Sequence, residues 1–235
     1  MLKIDLQFFG GRGASSGGGG GGGGATGELG LPDGTKVEFE GTLHFDGDDP
    51  ELTGKARQVI TDWEDKRFKN KVEYAYAVDA DGNPVGAERK GGKGSVRTPV
   101  SYHDSPDGTF SHVHPREDGV LGGTFSGQDM RNFANYRGKT IRATAKEGTY
   151  SMSKKKGFDS AGFKKYAATG ESEFKANNRK LHDVVYQQYR SGQITYSQYK
   201  LGAAKAFNTA LVGLHEHYRK GQQQYGYTYT LEGRK

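Results

Sequence analysis

The 235-residue chain contains no cysteine, which excludes disulfide frameworks, thiolate metal sites and thiol nucleophiles together. Any metal must therefore sit on histidine and carboxylate. No run approaches 18 apolar residues, so no membrane-spanning helix is expected. The apolar stretch within Met1–Gly10 is too short, and too interrupted by Lys3 and Asp5, to form the core of a signal segment. A soluble chain made in the cytoplasm is the expectation. Core material is scarce as well: hydrophobic residues make up 32% and glycines number 38, so large apolar area must come from 12 Phe and 14 Tyr. Many of the glycines cluster before residue 25, where eight run consecutively, Gly17–Gly24. Such a stretch loses too much entropy on ordering to hold a fixed backbone, and residues 1–29 read as a Gly-rich disordered leader to one domain over 30–235.

The formal net charge of +6 is mild and its lysines and arginines are scattered, apart from Lys154–Lys156. No nucleic-acid recognition pattern accompanies them, so a solvated basic surface is expected and no specific nucleic-acid partner. Polyglycine matches dinucleotide fingerprints trivially. Gly138-Lys139-Thr140 fails as a phosphate loop because Phe133 occupies the place of its first glycine.

Alternation predicts a strand or hairpin over Thr35–Phe45, and apolar spacing predicts a helix over Glu51–Phe68. Strands are expected at Lys71–Asp79, Ser95–Tyr102 and Thr109–His114, the last ended by Pro115. A short helix should follow Ser126 and stop at Gly138, before a hairpin of Thr140–Lys146 and Thr149–Ser153. Helices over Phe174–Arg190 and beyond the Thr195–Gln198 capping box then form a helical hairpin, about 158–222 with its flanks. Tyr225–Leu231 could return to the sheet as a last strand.

His112 and His114 lie two apart on a predicted strand, so both imidazoles point the same way and can reach one ion. His215 and His217 are two apart on a predicted helix, on nearly opposite sides, and read as surface, as do His44 and His182. Asp129, in the first turn after the Gly-rich loop, is the natural third ligand of a catalytic zinc, which keeps three protein donors and a water. Turning over that water needs an acid/base that is not a ligand. Glu73 is the candidate, on a strand face shared with Ala75 and Ala77. Ser126 could donate to a tetrahedral oxyanion, although Ser126-Gly-Gln-Asp129 taken alone reads more readily as a plain capping box.

Glu73, His112-Val-His114-Pro115 and Ser126-Gly-Gln-Asp129 together resemble the JAB/JAMM (MPN-plus) metalloprotease family. The resemblance covers roughly residues 71–153, with ten residues between Pro115 and Ser126 where the family usually has fewer. It implies zinc on His112, His114 and Asp129, with Glu73 as general acid/base and Ser126 assisting the oxyanion. It implies an α/β fold, a central mixed sheet flanked by helices with the helical hairpin inserted. It also implies cleavage of peptide or isopeptide bonds beside ubiquitin-like tails. The leader Leu2–Gly13 resembles those of structural-module and minor-head-associated proteins of bacteriophages and prophages, and Phe125–Ser153 with the closing Tyr225–Glu232 is similar to JAB-like domains in that setting. That points to a phage structural protein as an alternative substrate, and to the bacterial host cytoplasm or the virion as location. Two expectations follow: a zinc-dependent peptidase or isopeptidase, or an inactive JAB-like head-associated binding protein. ADP-ribosyl transfer through Glu171-Ser-Glu173, and a metal nuclease, are weaker ones.

Overall fold

The computed structural model describes residues 24–25, 27–31, 33–115 and 119–233. Most of the expected leader, and three residues of the loop after Pro115, lie outside that set. Within the former, β1 (Gly24–Ala25) pairs with β4 (Leu43–His44), and β2 (Glu28–Gly30) pairs with β3 (Lys36–Glu38). The alternation over Thr35–Phe45 therefore does not form a hairpin with itself; each half finds a partner upstream.

The body is a mixed α/β structure around one six-stranded sheet. Its strands are β5 (Tyr74–Val78), β6 (Arg89–Lys90), β7 (Thr109–Val113), β8 (Thr140–Thr144), β9 (Gly148–Lys154) and β10 (Tyr227–Gly233). They lie in the order β10-β9-β8-β7-β5-β6, every neighbour antiparallel except β7 and β8. A parallel neighbour requires a crossover, and here it is the Gly-rich loop and α2 (Gly127–Asn135). The closing strand does return, pairing with β9 along its whole length.

Strand parity gives the two sheet faces opposite characters. Ala75, His112, Ala143, Tyr150 and Leu231 are in register on one face, as are Ala77, Phe110, Ile141, Met152 and Tyr229. That face meets the buried side chains of α2, α3 (Ser160–Arg190) and α4 (Tyr196–Lys220), among them Phe133, Phe163, Phe174, Leu211 and Leu214. A single turn, α5 (Gln222–Tyr225), leads into β10.

The opposite face combines an apolar patch with a buried polar network. Ala56, Ile60 and Trp63 of α1 (Gly54–Arg67) pack on Val78 and Val113. Beside them Arg142, 1% exposed, is gripped by Glu64 of α1 and Glu232 of β10, two bonds to each. Ser111 donates to Glu64 and the Asp49 amide to Glu232, so the buried charges have paired partners. Burial by itself would raise the Glu232 carboxyl, but Arg142 and then Arg57 outweigh it and hold it down at about 2.

Two expectations need correction. Ser95–Tyr102 is not a strand. Gly92 bonds back to Ser95, Pro99 has no amide to give a ladder, and Val100–Asp104 closes into a 3-10 helix. The first arm of the hairpin begins 14 residues before Phe174, at Ser160, with Asp159 capping Gly162. No helix among the described residues is long and apolar enough to cross a membrane.

Candidate metal centre

β7 delivers His112 and its continuation His114 to the site, and α2 delivers Ser126 and Asp129 from its N-terminal turn. This is the crevice beyond the carboxyl end of a strand that enters a crossover, a place where open α/β sheets gather ligands. The Nε2 atoms of the two histidines face each other at 2.9 Å, and His112 Nε2 stands 3.8 Å from Asp129 Oδ2. Donors around a tetrahedral zinc, at bonds of about 2.0–2.1 Å, sit about 3.3 Å from one another; the two separations bracket that spacing. Among the described residues no group of three or more His, Asp or Glu side chains is placed so as to hold a metal ion; these three lie near one another without forming such a group.

The surroundings set which nitrogen is free. His114 Nδ1 lies 2.7 Å from the Gly122 carbonyl, so its N–H donates there and its Nε2 lone pair accepts from the Nε2–H of His112; an ion held by both Nε2 atoms would require His112 to carry its proton on Nδ1 instead. Gly123, at φ 88, turns the loop in the left-handed region so that this carbonyl is presented. The Gly122 amide in turn donates to Glu147, which also accepts from Tyr150. Burial, then the neighbouring His112, hold the His114 imidazole down at about 4, so it is neutral at neutral pH. His112 is buried, stacked on Phe110, and its Nδ1 has no partner among the described residues. An ion on the Nε2 atom would leave this nitrogen without a partner as well. The donor types, two imidazoles and a carboxylate, fit a divalent ion of the zinc kind, while their present spacing falls short of a ligand shell.

Glu73 precedes β5 on the parity of Ala75, the residue paired with His112. It is 7% exposed and lines the same cavity of about 350 Å³ as His112, His114, Ser126 and Asp129. Burial, with the Asp129 charge adding, lifts its carboxyl to about 8. All five residues singled out from the sequence therefore border one space.

Ser126 is the N-cap of α2 in a full capping box with Asp129. Its hydroxyl donates to Asp129 Oδ2 at 2.6 Å and its amide to the same oxygen at 2.8 Å. The serine is therefore spent on aiming the aspartate, whose charge also gains from the helix N-terminus. The remaining histidines stand apart from this centre. His44 is exposed as expected, but His215 is buried against Tyr229 Oη at 3.0 Å, His217 bonds the Tyr166 carbonyl, and His182 bonds Tyr199. The surface reading failed because their aromatic partners come from other elements.

The sequence reading missed the far wall of the cavity, which α3 and α4 supply through Glu171, Phe174, Phe207, Leu211 and Tyr218. The one available signal was the Phe207, Leu211, Leu214, Tyr218 stripe, which reads as ordinary helix core. Comparison with protein-family models, with curated proteins and with solved structures returns no match.

Proposed function

We propose that the protein is a zinc-dependent peptidase or isopeptidase of the JAB/JAMM kind, acting in a phage or prophage setting. The observation that carries this is the gathering of His112, His114, Asp129 and a buried, non-ligating Glu73 around one cavity. His112 Nε2, His114 Nε2 and the Asp129 carboxylate would hold the ion. When bound, zinc supplies Lewis acidity, polarising a carbonyl and making water acidic enough to react near neutral pH. Glu73 in its ionised form accepts the proton that water gives up and delivers it to the departing amine nitrogen; a cation held beside it would draw its raised carboxyl back toward that form. Ser126 keeps Asp129 aimed, and the Gly122 carbonyl keeps His114 in the ligating tautomer. The substrate is a peptide or isopeptide, with a ubiquitin-like tail or a phage structural protein as the protein partner.

The test is metal-dependent cleavage. Full-length protein, stripped with a chelator and reloaded with one equivalent of zinc, is incubated with a mixed peptide library and with ubiquitin-like and phage head-protein substrates, and products are read by mass spectrometry. Cleavage present with zinc and absent without it is the expected result. Zinc binding with no cleavage of any substrate would leave the inactive head-associated binding protein as the better reading, and cleavage by stripped protein would remove the metal from the mechanism.

A further inference from the structure

The cavity extends from the histidine pair along the helical hairpin, where Phe207, Leu211 and Leu214 of α4 face it with Phe174 of α3. One turn beyond Leu214 stands Tyr218, 0% exposed, whose hydroxyl has no hydrogen-bond partner among the described residues. Neighbouring buried tyrosines do find partners: Tyr227 donates to the Tyr218 carbonyl at 2.6 Å, and Tyr229 meets Thr124 at 2.9 Å. A buried hydroxyl without a partner costs stability and asks for a reason. Among the described residues, Tyr218 Oη and His112 Nδ1 are the buried side-chain atoms without partners that belong to residues lining the cavity.

We propose that Tyr218 is a substrate-binding residue. Its hydroxyl donates to a backbone carbonyl oxygen of a bound peptide, and Phe207, Leu211 and Leu214 receive that residue's apolar side chain. Taking the ligand as a peptide rests on the peptidase reading above; the rest follows from the wall itself. Ser126 cannot serve as this donor while its proton is given to Asp129. Burial, then the charges of Glu171 and Asp129, keep the phenol protonated, so it acts as a donor. Glu171 also disfavours an anionic acceptor, and the one lysine on this wall among the described residues, Lys175, is paired with it at 2.6 Å. A neutral amide carbonyl next to a bulky apolar group is the chemistry that remains.

The experiment uses the full chain, zinc-loaded and zinc-stripped, with N-acetyl-L-phenylalaninamide and N-acetylglycinamide as probes in NMR titrations. The phenylalanine compound should bind about 10-fold tighter or more, from burial of its side chain, and Phe207→Ala should erode that preference. Tyr218→Phe should weaken its binding by about 2- to 10-fold, the range of one hydrogen bond. The same variant should melt at an unchanged or higher temperature, because it removes an unpaired buried hydroxyl. A lower melting temperature, unchanged affinity, or no preference between the probes would overturn the proposal. This binding pattern in a protein that cleaves nothing would remove the peptidase reading alone, and cleavage with Tyr218→Phe binding as tightly as wild type would remove the Tyr218 assignment alone.

Discussion

Arg142→Met should lower the free energy of unfolding by about 3–5 kcal/mol, read from urea unfolding at neutral pH. The arginine is fully buried on the polar sheet face, and it is the bidentate partner of both Glu64 and Glu232. Removing it leaves two carboxylates away from water, one of them, Glu64, with only Ser111 as a remaining bond. Glu232 keeps Arg57 at 3.0 Å, so its loss is smaller. The combination Arg142→Met with Glu64→Gln should recover part of the loss, since the uncompensated charge, more than the missing contact, sets the cost. The same network fixes the acid limit. Glu232 titrates at about 2 in the fold against an ordinary 4.5, so its contribution is full above 4.5 and lost as pH falls toward 2. Melting temperature should therefore drop steeply across that window in wild type and less steeply in Glu232→Gln; parallel curves would show that this carboxylate is not the sensor.

Glu73→Gln should reduce peptide cleavage by about 10²- to 10⁴-fold while leaving zinc affinity and melting temperature near the wild-type values. The glutamate is buried in the same cavity but is not one of the three proposed donors, and an amide of the same shape cannot act as the base. Retained stability is expected because burial and Asp129 already favour the uncharged carboxyl, which glutamine imitates. Cleavage at wild-type rates would assign proton transfer to another group. Loss of zinc with the substitution would instead place Glu73 among the ligands.

The parts of the site that were legible in the sequence are those whose geometry is local. His112 and His114 share a face because strand side chains alternate, and Ser126 points Asp129 because a capping box spans only three residues. Glu73 needed one further step, the parity of β5, and the small residues at Ala75 and Ala77 marked its face. Other features depend on elements far apart in the chain. The partners of Arg142 stand 78 and 90 residues away, so a buried arginine on a strand of Thr-Ile-Arg-Ala-Thr looks like an exposed one. The first turns of α3 were missed because between Phe163 and Phe174 their buried stripe consists only of Ala167 and Gly170. Gly170 is small because His217 lies where a Cβ would be, 2.5 Å away. The expected strand at Ser95–Tyr102 had the alternation of one, but Val96 and Thr98 border the cavity instead.

The most direct measurement of the central claim is zinc K-edge X-ray absorption on protein carrying one equivalent of zinc, alongside His112→Ala and Asp129→Asn. The account predicts a tightly bound ion with two imidazole nitrogens and the remaining donors oxygen, at about 2.0–2.1 Å, one imidazole fewer in His112→Ala, and weakened binding in both variants. Failure of wild type to hold stoichiometric zinc, or a spectrum indifferent to both substitutions, would contradict it.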